Sequence, residues 1–360
     1  MNKWVKGLLD VRAAQVLERI LAVLRDKEKR REWLINYSLY LILLAMIIGV
    51  VIEDSSFLSF SNFSKIMAQA STRGILALGV AGMIVYTGTD LSAGRILGCC
   101  AAISASLLQS VTYASRMYPS IVEPLPLIVP LLLSIAAAMA FCSLNAFGFA
   151  VLKMHPFIIS LGTQLIAYGS LCLYIDSQKG GAQPIASLDS RYIEFVNGHI
   201  NLGFMQLPYL VVYLAVCAAV MWVIWNKTTL GKNMFAIGGN PEAAAVSGVN
   251  VTRNIFGVYL VAGALYGIAA FLEAGRVQSV TTNMGLNYDL DAISGCVIGG
   301  VSFTGGVGTI PGVLIGVIIL QVINYSLYYL GINAYLQYII KGLIIIMAVA
   351  IDVRKYIAKK

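Results

Sequence analysis

Gly312-Val313-Leu314-Ile315-Gly316-Val317-Ile318-Ile319-Leu320-Gln321-Val322-Ile323-Asn324-Tyr325-Ser326-Leu327-Tyr328-Tyr329-Leu330 runs 19 residues without a charge. At about 1.5 Å of rise per helical residue, that run matches a bilayer core about 30 Å thick. Working outward, nine further apolar runs of similar size are predicted as spans: Leu34 to Ile52, Ile66 to Thr87, Ser92 to Val111, Pro124 to Leu152, Phe157 to Ile175, Leu207 to Trp225, Ile255 to Leu272, Ala292 to Thr309 and Tyr335 to Ile351. Length alone, 360 residues, would imply roughly two soluble domains at about 150 residues each. Composition overrules that count. Hydrophobic residues make up 59% and charged residues 12%, and the mean hydropathy is +0.81, so no water-soluble surface can be assembled and the excess apolar area needs lipid. The expected fold class is all-α, a polytopic membrane protein of about ten transmembrane helices. An aqueous enzyme, a DNA binder and a disordered scaffold are disfavoured together.

Charge sets the expected orientation. With a cytoplasmic N-terminus, 17 of the 25 basic residues fall on the cytoplasmic side, among them Lys3 to Arg31, Lys153, Lys227, Lys232, Arg253 and the C-terminal cluster. The opposite loops carry Lys65, Arg116, Lys179, Arg191 and Arg276 against eight acidic residues that include Glu273 and Asp289. The positive-inside rule then predicts cytoplasmic N- and C-termini, which ten spans satisfy. The net charge of +8 is thereby a cytoplasmic excess facing anionic lipid rather than a nucleic-acid patch. Three regions are expected: a basic leader over residues 1–33, a membrane domain over 34–351 with a cytoplasmic segment at 226–253, and a basic tail over 352–360. In the leader, Leu9, Ala13, Val16, Leu17, Ile20, Leu21 and Leu24 share one helical face. It reads as an amphipathic helix on the inner leaflet or as a solvated leader that only satisfies topology.

No catalytic constellation emerges. The six cysteines lie inside apolar runs and read as small buried side chains. His155 and His199 fall on opposite sides of the membrane, which disfavours a metal site. No Gly-x-Ser-x-Gly, His-Glu-x-x-His or P-loop occurs, so neither enzymatic turnover nor ATP hydrolysis is expected of this chain, and no cofactor is expected within it. The run Gly299-Gly300-Val301-Ser302-Phe303-Thr304-Gly305-Gly306-Val307-Gly308 lies between two spans, not between a strand and a helix, so it is no dinucleotide fingerprint. It reads as a break or re-entrant turn carrying Ser302 and Thr304. The glycine pairs 94/98, 263/267, 295/299 and 312/316 read as close helix packing. A second break, Tyr86-Thr87-Gly88-Thr89-Asp90-Leu91-Ser92-Ala93-Gly94-Arg95, puts Asp90 and Arg95 in or against hydrocarbon. Either a broken helix lines the pathway there, with Asp90, Ser92 and Arg95 as pathway candidates beside Ser302 and Thr304, or a tight hairpin uses Asp90 as a cap while Arg95 snorkels. The recurrence of the pattern hints at two pseudo-repeated halves with broken helices.

Between the sixth and seventh spans lies Asn226-Lys227-Thr228-Thr229-Leu230-Gly231-Lys232-Asn233-Met234-Phe235-Ala236-Ile237-Gly238-Gly239-Asn240-Pro241-Glu242-Ala243-Ala244-Ala245-Val246-Ser247-Gly248-Val249-Asn250. Asn240 can cap, Pro241 is preset for the first helical position, Glu242 suits the positive helix end and Gly248 stops the helix. A two-turn helix is predicted, either a lever for a partner or merely a well-capped loop.

Ala77-Leu78-Gly79-Val80-Ala81-Gly82, Gly88-Thr89-Asp90-Leu91-Ser92-Ala93-Gly94-Arg95, His155-Pro156-Phe157-Ile158-Ile159-Ser160-Leu161-Gly162-Thr163, Phe235-Ala236-Ile237-Gly238-Gly239-Asn240-Pro241-Glu242-Ala243-Ala244 and Val297-Ile298-Gly299-Gly300-Val301-Ser302-Phe303-Thr304-Gly305-Gly306 occur in this order. Together they resemble the permease subunit of bacterial ribose/xylose/galactose-type ABC importers, over nearly the whole chain from Leu34. The resemblance implies a homodimer in the inner membrane, a monosaccharide cargo such as galactose or methyl-galactoside, a cytoplasmic ATPase subunit whose two nucleotide-binding domains hold ATP and Mg, and a periplasmic or lipid-anchored sugar-binding protein. It further implies that Gly239, Asn240, Pro241, Glu242, Ala243 and Ala244 belong to the helix that couples to the ATPase, and that Asp90 and Ser92 fall near the translocation pathway. Two rival readings are a stand-alone secondary transporter or channel using Asp90 or Asp291, and a branched-chain amino-acid ABC permease.

Overall fold

The computed structural model describes residues 43–178, 180–203 and 205–357. The leader at 1–33 and the last three residues of the basic tail lie outside them. The described chain is helical apart from one antiparallel hairpin, β1 (His199–Asn201) with β2 (Gln206–Pro208). Its helices are α1 (Leu43–Glu53), α2 (Phe60–Val85), α3 (Ala93–Leu107), α4 (Ile128–Ala150), α5 (Pro156–Asp176), α6 (Ser190–Asn197), α7 (Tyr209–Lys227), α8 (Thr229–Gly239), α9 (Pro241–Val246), α10 (Val251–Val277), α11 (Tyr288–Ile298), α12 (Ile310–Tyr329) and α13 (Ala334–Ile357).

Each of the ten apolar runs contains a helix in its described part, but they are not equal. Six helices, α2, α4, α5, α7, α10 and α12, are long and apolar enough to cross a membrane. The run from Ser92 yields only the 15 residues of α3, about 22 Å of helix, and the run from Ala292 yields α11 of 11 residues. Both fall short because the chain leaves helical geometry beside them: Thr87 takes φ +63° before α3, Asn287 takes φ +62° before α11, and Gly300, Gly305 and Gly306 take positive φ after α11. These are the broken helices of the fold.

The two longest apolar helices form its centre. α2 and α10 pack against each other; α10 also packs on α3 and α4, while α2 packs on α11 and α12. Each central helix thus receives the short helix and the span that follow the other one, a two-fold exchange that gives the pseudo-repeat its physical form. α4, α5 and α7 lie outside and present Leu132, Leu133, Leu165, Leu173, Val216 and Val220 to the surroundings, as lipid-facing helices do.

The glycine pairs perform close packing. A Cβ on Gly263 or Gly267 would strike the backbone of α4 at Met139 or Ile135, and one on Gly299 or Gly316 would strike the backbone of the facing helix in the α11/α12 pair. Gly94 and Gly98 instead admit the backbone of the segment before α11, at Gly285 and Met284. At the α1/α2 corner, the Tyr329 hydroxyl donates to Asp54 Oδ2 at 2.7 Å and the Ser56 amide donates to Asp54 Oδ1 at 2.8 Å. These two donors hold that exposed carboxyl below its ordinary range, Tyr329 contributing most.

Candidate functional site

The segment after α7 folds as an elbow of two helices. Thr228 Oγ1 accepts from the Gly231 amide at 3.3 Å to start α8, and Asn240 Oδ1 accepts from the Ala243 amide at 2.9 Å to start α9. Pro241 occupies the first turn of α9, Glu242 follows it, and Gly248 at φ +87° lies just beyond the helix end. The capping predicted from Asn240 onward is present as written. The sequence reading missed α8, whose signal is the threonine cap before Gly231. α9 stands clear of the bundle: Ala244 is its one buried residue, and Val246 is 91% exposed.

The elbow meets both breaks at one point. A Cβ on Gly238 would land on the Val85 carbonyl oxygen, at the end of α2, and beside the Gly306 amide. The Gly306 amide donates to that same Val85 oxygen at 3.0 Å. Gly305, at φ +83°, lies against the Gly238 carbonyl and the Thr87 methyl. Three backbones therefore touch without side chains between them, which only glycine permits. Ser302 and Thr304 fasten the third of these segments: their hydroxyls are 2.8 Å apart, the Ser302 amide donates to the Val307 carbonyl at 3.1 Å, and the Ser302 carbonyl accepts from the Gly305 amide at 3.1 Å.

Deeper in the bundle, Asp90 is fully buried. Its carboxylate accepts from the Ser92 amide at 2.9 Å and from the Tyr266 hydroxyl at 3.0 Å, while Asn145 Nδ2 donates to Ser92 Oγ at 2.9 Å. Asp90 holds the turn ahead of α3 through the Ser92 amide rather than capping the helix itself, and it does so inside the protein, tied to α4 and α10. Arg95 does not snorkel: its NH1 donates to the Thr282 carbonyl at 3.2 Å and its guanidinium lies 4.3 Å from the centroid of Tyr168. Asp90 and Ser92 are brought together, Arg95 sits one turn along α3, and Ser302 and Thr304 belong to the junction with the elbow.

Sequence reasoning missed an ionic cluster. Glu273 and Asp289 were expected in exterior loops, but both are buried, in α10 and α11. The two Glu273 oxygens accept from Arg276 at 2.7 Å each, from Thr72 Oγ1 at 2.7 Å and from the Tyr288 hydroxyl at 2.7 Å. Arg73 of α2 pairs with Asp291 of α11, and its guanidinium stacks 4.0 Å from the Tyr288 centroid. Lys341 of α13 approaches the other Asp291 oxygen at 3.6 Å. Lone Arg73 and Lys341 inside apolar runs were the available signal, since a cation there requires a carboxylate from another span. Among the described residues, no three His, Cys, Asp or Glu side chains converge as metal ligands.

Comparison with known proteins bears on the same segments. Residues 62–349 match the family described as branched-chain amino acid transport system / permease component. The chain belongs to this permease family. It is 48% identical, over 93% of its length and 99% of theirs, to the galactose/methyl galactoside import permease proteins MglC of Haemophilus influenzae and Escherichia coli. It is 32% identical to the ribose import permease protein RbsC of Bacillus subtilis, over 88% of this chain and 92% of that one. No solved structure matches it. The permease is thus a polytopic membrane protein of a transport system, and its elbow, breaks and buried cluster all fall within the matched region.

Proposed function

We propose that the permease is the membrane-spanning subunit of an ATP-driven importer of a monosaccharide, galactose or methyl-galactoside, working as a homodimer in the bacterial inner membrane with both termini cytoplasmic. A cytoplasmic subunit with two nucleotide-binding domains binds and hydrolyses the ATP with Mg, and a periplasmic or lipid-anchored protein delivers the sugar. The observation that carries this reading is the elbow: a capped helix that projects Val246 outward, joined by backbone contact at Gly238 to the end of α2 and to the loop at 299–309. An apolar tip left in water has no role within one chain and fits a partner's groove. The names of the 48%-identical relatives support the sugar.

In this reading, Gly239 to Ala244 couple to the ATPase. ATP closes the nucleotide-binding domains, α9 is displaced, and the rigid contact at Gly238 carries the displacement to Val85 and Gly306. ATP must stabilise one opening of the dimer over the other for this to move cargo. Asp90 and Ser92 serve as the lock that holds the re-entrant turn between α2 and α3, and Arg95 fixes α3 to the Thr282 segment. Ser302 and Thr304 keep the moving loop stiff.

The test is uptake of labelled galactose, methyl-galactoside, ribose, xylose and leucine by the permease reconstituted with its ATPase and binding protein. Galactose or methyl-galactoside should enter only with ATP. Sugar uptake by the permease alone would establish the secondary-transport reading instead, and preferential leucine uptake the amino-acid reading.

A further inference from the structure

We infer that the permease has a weak monosaccharide site of its own, formed by Gln69 and Arg73 of α2, Asp291 of α11, and Gln321 and Asn324 of α12, with Lys341 of α13 at its rim. The inference rests on the sugar cargo proposed above and adds the place where the cargo is held within the membrane.

The first observation is a set of polar atoms without partners. Asn324 is 9% exposed, yet among the described residues neither its Nδ2 nor its Oδ1 has a hydrogen-bond partner; Arg73 Nε is likewise buried and unpaired. Buried polar groups are almost always satisfied, and hydrocarbon supplies no partners, so such atoms in a span mark a place where water or a ligand belongs. The second observation is that these atoms do not stand alone. Gln321 Nε2 donates to Gln69 Oε1 at 2.6 Å, tying α12 to α2. Gln69 and Arg73 are four residues apart on α2, and Gln321 and Asn324 three apart on α12, so each pair shares a helix face. Because Gly295 and Gly299 of α11 pack on α12 at Val317 and Gly312, the antiparallel run of the two helices brings Asp291 toward the C-terminal half of α12, where Gln321 and Asn324 lie. Arg73 is the fourteenth of the 26 residues of α2, the midpoint of that helix, and beside it α11 is a broken helix, the usual construction of a transport site.

The chemistry selects an uncharged polyol. Both Asp291 oxygens are already engaged, one by Arg73 and the other approached by Lys341, so no carboxylate is left free, and besides Arg73 Nε the unmet capacity is the Asn324 amide, able to donate and to accept. A sugar hydroxyl does both at once, whereas the ammonium of a zwitterion would need a carboxylate that is not already paired. The Asp90 network also holds an unpartnered atom, Asn145 Oδ1, but its carboxylate already has its donors and it is shut off completely. The side chains of Arg73 and Lys341 are 15% and 23% exposed, which leaves the new site a route of access.

The test uses the reconstituted complex at saturating binding protein and compares Asn324→Ala and Gln321→Leu with the unaltered permease, reading galactose uptake and ATP hydrolysis side by side. Loss of a sugar hydrogen bond should lower sugar moved per ATP about tenfold, with stimulated hydrolysis unchanged, and Asn324→Ser should recover part of the ratio. An unchanged ratio, or uptake and hydrolysis falling in proportion, overturns the site. Should Asn324→Ala fail to reach the membrane, Asn324→Ser and Gln321→Leu are read by the same criterion. Absence of ATP-driven sugar uptake by the unaltered complex is a separate result, and overturns the proposed function itself.

Discussion

At the scale of single residues, Gly238 and Gly239 are neighbours with opposite duties. A Cβ at Gly238 would collide with the Val85 carbonyl and crowd the Gly306 amide, whereas one at Gly239 meets nothing within 4 Å. Neither backbone can yield without opening the Gly306 to Val85 hydrogen bond. Gly238→Ala should therefore destabilise the fold by about 1–3 kcal/mol, the usual range for overpacking, and reduce ATP-driven uptake severely. Gly239→Ala should leave the stability of the fold nearly unchanged. Thermal unfolding of the purified permease and uptake by the reconstituted complex give the comparison. Tyr266 provides a second residue-scale prediction. Its hydroxyl donates to buried Asp90, so Tyr266→Phe removes a hydrogen bond from a fully buried carboxyl. The expected loss is about 1–3 kcal/mol of stability, read as a lowered melting temperature, while Tyr259→Phe on the same helix serves as the comparison because no hydrogen bond from it to Asp90 exists among the described residues.

At the scale of elements, α9 is built to be stiff and exposed rather than to stabilise the bundle. Val246→Glu should leave the stability of the isolated permease within about 0.5 kcal/mol of the original, as exposed substitutions do, yet abolish copurification of the ATPase subunit and uptake with it. Asn240→Ala removes the cap, at about 1 kcal/mol of local helix stability, and should weaken the same association in proportion. This element was readable in the sequence because its determinants are local: Asn240, Pro241, Glu242 and Gly248 fix a helix from within nine residues of chain. The six long spans were readable for the same reason, since apolar length is a property of a segment. The shortness of α3 and α11 was less legible. It depends on Thr87 and Asn287 accepting positive φ, which no periodicity reports. The position of Glu273 was misread because a carboxylate near a span end looks exterior until Thr72, some 200 residues away, is seen to meet it. Asp90 could be placed in hydrocarbon from sequence, but its partners Tyr266 and Asn145 come from helices that only the packing of α10 on α4 brings near.

At the scale of the whole molecule, the ionic cluster is the device that makes helices from both halves answer to one another. Arg73 comes from α2, Asp291 from α11 and Lys341 from α13, so a single carboxylate is shared by two cations on separate spans. Taking these charges out of water is expensive, and their mutual attraction offsets that cost only while all remain in register. Removing Asp291 leaves Arg73 and Lys341, both largely buried, without the carboxylate they share. Asp291→Asn should therefore cost about 3–5 kcal/mol, the penalty for breaking a buried ion pair, enough to consume much of the 5–15 kcal/mol of a typical protein. It should appear as loss of the permease from the membrane fraction or as a steep fall in melting temperature. Removing the charges together is a different experiment. The triple variant Arg73→Met, Asp291→Leu, Lys341→Met presents apolar groups of similar length and should regain most of that stability. If the cluster only held helices together, the triple variant would also regain uptake. Because it borders the site formed by Gln69, Gln321 and Asn324, the expected outcome is a permease that folds, binds its ATPase, hydrolyses ATP and moves little sugar. Melting temperature, ATP hydrolysis and galactose uptake, measured on the same preparations, separate a strut from a part of the path.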